Sequence, residues 1–194
     1  MSARLAAALA AIDAANDADP RRVMDEGRER GQERLYGERM TRWLNRLVPD
    51  ASEALQIACR AQHVERWRIP RDDFPRDKHG YLRWRATLGR MHAERAGALA
   101  AAAGYEPAEI ARIQALVRKE GLKTDPETQA LEDAACLVFL EGEFAAFAAR
   151  HPEDKVADIV RKTWRKMTPR GQAAALALDL PPPVRALVER ALRG

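Results

Sequence analysis

The stretch TDPETQALEDAACLVFLEGEFAAFAA, Thr124–Ala149, carries the reading of the fold. It opens on a helix start signal. Thr124 with Glu127 three residues later has the form of a capping box, and Pro126 suits a first helical turn, where a missing N–H costs nothing. Its centre, Ala134–Leu140, is apolar on every side, as expected of a helix running through the middle of a core. The pattern predicts one helix from Pro126 to about Ala149.

The same periodicity extends in both directions. Toward the C-terminus, further helices follow the breaks at Pro152, Pro169 and Pro181-Pro182-Pro183. Toward the N-terminus, Pro107 opens a helix that ends near Gly121, and Gly104 closes another that runs from about Tyr81 to Ala103. A helix is predicted from Asp50, with Glu53 as its capping partner, to about Trp67, and one from Gln32 to Leu47. The latter shows an apolar face of Leu35, Met40, Trp43, Leu44 and Leu47. The first helix spans about Arg4 to Ala15 and ends at Asn16-Asp17 and Asp19-Pro20. A polar link punctuated by Gly27 and Gly31 follows it, and Arg68–Gly80 reads as a long loop. The fold class is therefore all-α, a single compact multi-helix domain: residues 1–31 as N-terminal helix and link, 32–150 as body, 151–194 as C-terminal helices.

Composition narrows the class of function. With 46% hydrophobic against 32% charged residues, the 194-residue chain can bury a core large enough to offset its ordering entropy. Two cysteines, Cys59 and Cys136, provide neither a disulfide scaffold nor a structural zinc cluster, and their apolar surroundings suit small core residues. Asp13 and Asp17 break the apolar N-terminal stretch, so it reads as neither signal peptide nor membrane span, and a cytoplasmic location without membrane contact is the expectation. Lys plus Arg exceed Asp plus Glu by 33 to 29, a net charge of +4, so the placement of charge matters more than its sum. No glycine-rich phosphate loop, Gly-x-Ser-x-Gly or His-Glu-x-x-His motif is present.

Three groups of residues bear chemistry. His63 and His92 fall inside predicted helices with polar neighbours; each is either a ligand or a partly buried histidine satisfied by one contact. Helical spacing puts Cys59, His63 and Trp67 on one face and turns Glu65 elsewhere. Glu132 and Asp133 precede the most apolar run, where a carboxylate is costly unless paired, hydrogen-bonded or metal-bound, although the nearby helix start favours negative charge. Arg60, Arg66, Arg68, Arg71, Arg76, Arg83, Arg85, Arg90 and Arg95 flank the long loop together with Trp67 and Trp84, a combination suited to phosphate or carboxylate oxygens and to stacking a base. Arg161–Arg170 forms a second basic cluster that closes over the same ligand, or faces solvent or RNA phosphates.

The blocks LYGERM at Leu35–Met40, AQHVERWRIPR at Ala61–Arg71, GYLRWR at Gly80–Arg85, HAERAG at His92–Gly97, RKEGLK at Arg118–Lys123, LEDAACLVFLE at Leu131–Glu141 and KTWRKMTPRG at Lys162–Gly171 resemble an uncharacterised helical family known as a domain of unknown function. The likeness runs from about Ile12 to Leu192. Some members of that family carry a glutamyl-tRNA synthetase label, which the length and motifs of this chain do not support. A more distant resemblance, in the order of its polar residues, is to HD-domain metal-dependent phosphohydrolases; it implies an HD-like helical architecture and a site whose histidines and aspartates hold divalent metals that activate water. It implies metal ligands at Glu38, His63, His92 and Asp133, with Val64 in place of the doublet aspartate and Glu38 in place of a histidine. Glu65 and Glu94 take the catalytic positions in this resemblance, and Arg66, Trp67, Arg85 and Lys119 bind substrate.

The expected function is a metal-dependent phosphohydrolase-like activity on a small phosphorylated or nucleotide-like molecule, with a divalent metal as cofactor. The alternative is a non-catalytic helical protein that binds an anionic metabolite, RNA or a protein partner, nucleic acid being the less favoured.

Overall fold

A computed structural model describes residues 1–193. Among the described residues the chain forms ten α-helices and a two-stranded hairpin, an all-α architecture as the periodicity predicts. Their order is α1 (Ala3–Asp17), β1 (Arg22–Asp25), β2 (Arg28–Gly31), α2 (Gln32–Leu47), α3 (Glu53–Arg60), α4 (Lys78–Ala102), α5 (Pro107–Val117), α6 (Pro126–Val138), α7 (Phe144–Ala148), α8 (Glu153–Lys166), α9 (Pro169–Leu176) and α10 (Pro182–Arg193). One hydrophobic core reaches from Leu5 on α1 to Ala191 on α10. No described helix is long and apolar enough to cross a membrane.

The helix α6 occupies the centre, with Leu131, Ala134 and Leu137 fully buried, and packs against α2, α3 and α9. Its cap is Asp125, one residue later than the sequence suggested. The Asp125 carboxylate accepts the backbone N–H groups of Glu127 and Thr128, while Thr124 Oγ1 donates to the Gly121 carbonyl. The helical path continues to Ala148 as predicted, but it is not α-helical throughout. A π-turn over Phe139–Glu143 separates α6 from α7, and Gly142 within it lets the Arg39 guanidinium pass 2.9 Å from where a Cβ would stand.

Further expectations are corrected. The helix predicted to reach Trp67 begins after its Ser52 cap, not at Asp50, and stops at Arg60. Ala61–Glu65 is a turn, in which Glu65 adopts a positive φ of 52° and donates its backbone N–H to Asn16 Oδ1 at 2.9 Å. His63 therefore lies in a turn, and the helical face shared with Cys59 and Trp67 does not exist. The polar link before α2 is a β-hairpin, closed by Glu26 and Gly27 at φ values of 49° and 76°, the geometry of a two-residue turn with both central residues left-handed. Arg68–Gly80 is a loop as predicted in its middle, with short 3-10 turns at Arg66–Arg68 and Arg71–Asp73. The helix α4 starts two residues before Gly80, where Asp77 accepts the Gly80 N–H.

Candidate functional site

A cleft of about 560 Å³ opens between α2, the hairpin, the Ala61–Glu65 turn and the π-turn. In α2, residues three apart share a face, so Glu33 and Tyr36 both point at the turn that carries His63. His63 Nδ1 is 3.1 Å from Glu33 Oε2, and its ring stacks on Tyr36 at a centroid separation of 3.8 Å and an interplanar angle of 11°. Glu33 is 1% exposed. Arg21 donates to its Oε1 at 2.6 Å, and Asp19, which also accepts from Arg21, accepts the Glu33 backbone N–H. When Glu33 is ionised its hydrogen bond puts the imidazole proton on Nδ1, so Nε2 keeps a lone pair. Nε2 has no protein partner among the described residues.

The electrostatics of this pair follow from burial and a surplus of cations. Burial, and then the charges of Arg66, Lys119, Arg85 and Arg21, hold His63 well below its ordinary value. Burial pushes the Glu33 carboxyl up, against the pull of Arg21 and Arg66. Burial also raises Glu143, which lines the same cleft, and the charge of Glu33 adds to the effect. Behind His63, at a ring-centroid distance of 6.0 Å, His92 donates Nδ1–H to the Val64 carbonyl at 2.8 Å and leaves Nε2 buried without a partner. Burial and the neighbouring His63 lower His92 to about 3, outweighing the bond to Val64.

Arg39, Arg66 and Arg150 supply the cationic wall. Among the described residues Arg66 stacks on Trp84, 4.6 Å from the ring centroid, rather than pairing with a carboxylate. Arg39 keeps only a 3.4 Å contact with Asp25, and Arg150 donates Nε–H to the Ala146 carbonyl. Leu35, Phe139 and Phe147 give the cleft an apolar floor. Such a surface holds an anionic group and shelters a less polar body beside it.

The sequence-derived candidates separate into those this cleft collects and those it does not. His63 and Arg66 line it, His92 stands behind it, and the charges of Arg85 and Lys119 are felt at His63. Glu38 lies in a neighbouring hollow, where it accepts from Arg30 at 2.5 Å and Arg34 at 2.8 Å. Asp133 spends both oxygens on the start of α9, accepting the Thr168 N–H at 2.9 Å and the Thr168 hydroxyl at 2.5 Å. Its neighbour Glu132 pairs with Lys119 and Lys166. Glu65 is taken up by Arg68 and Arg95, Glu94 is exposed on α4, and Trp67 lines an outer hollow with Arg71 and Trp84. Glu33, which sequence reasoning missed, is the carboxylate that meets His63. Its signal was its place seven residues before Met40, an acid on the apolar stripe of α2.

A divalent metal does not fit the four residues named for it. Glu38 is neutralised by arginines and Asp133 is an N-terminal clamp, which leaves two imidazoles and no free carboxylate among the four. Among the described residues no group of three or more His, Cys, Asp or Glu side chains is placed to hold a metal ion.

The fold and cleft define an all-α protein with a buried carboxylate–imidazole pair in an arginine-rich pocket. The profile of the family described as Domain of unknown function (DUF4202) matches residues 6–188, and the chain belongs to that family. No curated protein and no solved structure matches it.

Proposed function

We propose that the chain is a phosphohydrolase-like enzyme for a small phosphorylated molecule, which it binds in the cleft between α2, the hairpin and the π-turn. One observation supports this reading above others: His63, bonded through Nδ1 to buried Glu33, lines the same cleft as three guanidinium groups. Arg39, Arg66 and Arg150 bind the phosphate oxygens, and His63 Nε2 faces the attacking water as general base. The HD-like order of ligands contributes His63 and the supporting His92 to this reading. Its metal is not part of the proposal.

The test is phosphate release from a panel of phosphate monoesters by the wild-type chain and His63→Gln, with binding followed in parallel by calorimetry. The expected result is turnover that falls about 100-fold or more in the variant while binding persists. Binding without release in the wild type would sink the enzymatic reading and return the non-catalytic alternative. One feature favours that alternative: the cations around His63 make it a weak base in the empty cleft.

A further inference from the structure

We infer that the phosphorylated ligand carries an amine, whose ammonium group is held by the Glu143 carboxylate while the arginines hold the phosphate. This rests on the reading of the cleft as a phosphate site and names the substrate class that fits it. The observation is a stripe along one wall. Phe139, Gly142, Glu143, Ala146, Phe147 and Arg150 all line the cleft. They recur at three- and four-residue spacings through the π-turn, α7 and the turn after it, so they share one face. Glu143 stands midway, four residues from Phe139 and four from Phe147. Those two rings meet edge to face, with centroids 6.0 Å apart and planes at 68°. A carboxylate on the same face as paired aromatic rings recognises an alkylammonium twice, by its charge and by the negative faces of the rings.

The protein itself makes no use of this acid. Two acids line the cleft, and the other, Glu33, is bonded to Arg21 and His63. Within the π-turn, Glu141 accepts from Arg42 at 2.5 Å and from the Trp43 indole N–H at 3.0 Å. Among the described residues Glu143 has no hydrogen-bond or ion-pair partner, and the charges of Arg39 and Arg66 reach it only from a distance. A ligand that is anionic throughout meets repulsion from Glu143 across the cleft from the arginines. One with a phosphate at one end and an ammonium at the other matches both charges, and such matching sets specificity. Leu35, Phe139 and Phe147 cover the carbon skeleton between the two ends.

The experiment measures binding to the full chain near neutral pH by calorimetry. Its probes are a length series of aminoalkyl phosphates beginning with O-phosphoethanolamine, each paired with the hydroxyalkyl phosphate of equal length, and inorganic phosphate. The best-fitting amine is expected to bind about tenfold or more tighter than its hydroxyl counterpart. Glu143→Gln keeps the shape of the exposed side chain and removes its charge. In this variant the preference is expected to vanish, because the amine probe weakens about tenfold while the hydroxyl probe holds or tightens. A purely structural role for Glu143 would weaken both probes alike, and that result would overturn the ammonium site. Equal binding of amine and hydroxyl probes by the wild type at every length, or a preference that survives in Glu143→Gln, would also overturn it and leave the cleft as a phosphate site. Absence of binding by every probe and by inorganic phosphate at millimolar concentration would overturn the phosphate site, and the ammonium site with it.

Discussion

The side-chain oxygen of Asn16 accepts the backbone N–H of Glu65 at 2.9 Å, a bond that ties α1 to the turn 49 residues later that carries His63. Asn16 is 1% exposed, and its Nδ2 donates to the Glu33 carbonyl at 3.5 Å, so one amide touches the segments that carry both halves of the His63–Glu33 pair. Replacing it with leucine leaves a buried N–H unsatisfied beside a backbone held at positive φ. The expected cost is about 1–3 kcal/mol in urea unfolding, together with weaker phosphate binding. Asn16→Asp keeps the acceptor for Glu65 and is expected to lose less; equal losses would show that the bond is not what holds the turn.

Asp133 behaves as a clamp between α6 and α9. Besides the two bonds to Thr168, its carboxylate carbon lies 2.7 Å from where a Cβ on Gly171 would stand, so glycine is what lets the first turn of α9 close over the carboxylate. Asp133→Ala is expected to lower stability by about 2–3 kcal/mol, and Gly171→Ala by about 1–3 kcal/mol through overpacking. Neither change should alter phosphate affinity in the fraction that remains folded. Loss of affinity with unchanged stability in Asp133→Ala would place this residue in the site instead.

Much of the architecture was legible because helix starts and stops are local. Pro107, Pro126 and Pro169 sit in first turns, and Gly104 follows the end of α4, so residues within a few positions specify those boundaries. The errors arise where a distant residue overrides local preference. Nothing near Arg60 announces that α3 stops there, and the turn that follows is held by the distant Asn16. The π-turn after Val138 accommodates Arg39, about a hundred residues earlier, and the hairpin rests on a turn too short to show a strand period. For the site, His63 and Arg66 could be named from their blocks, whereas Glu33 was passed over because an acid in a first turn usually caps or faces solvent. Its burial depends on Arg21 and Asp19 folding back across the hairpin.

The two cysteines offer a simple check on the interior. Burial pushes both Cys59 and Cys136 up to about 12, and each is shielded by core side chains. Neither should react with a thiol-specific disulfide reagent in the folded chain at neutral pH, and both should react after unfolding. Rapid modification of Cys136 in the native protein would mean that α8 and α6 separate readily, since its sulfur lies 4.0 Å from the Thr163 carbonyl of α8.

His92 makes stability depend on pH in a direction that can be worked out. It is 4% exposed, and its pKa falls from 6.5 to about 3 on folding, so between those values the unfolded chain binds a proton that the folded chain refuses. The neutral form is fully tolerated above about pH 6.5, and stability is lost progressively as the pH falls through that window. One proton corresponds to about 1.4 kcal/mol per pH unit at full slope. His63 acts in the same direction, while Glu33 and Glu143, raised by burial, take up protons on folding and oppose it. His92→Asn retains a donor for the Val64 carbonyl at the position of Nδ1 and removes the titration. Urea midpoints for this variant between about pH 6 and pH 4 should therefore fall less steeply than those of the wild type, by about one proton's worth of slope. Parallel curves for the two proteins would show that His92 is not held neutral in the core.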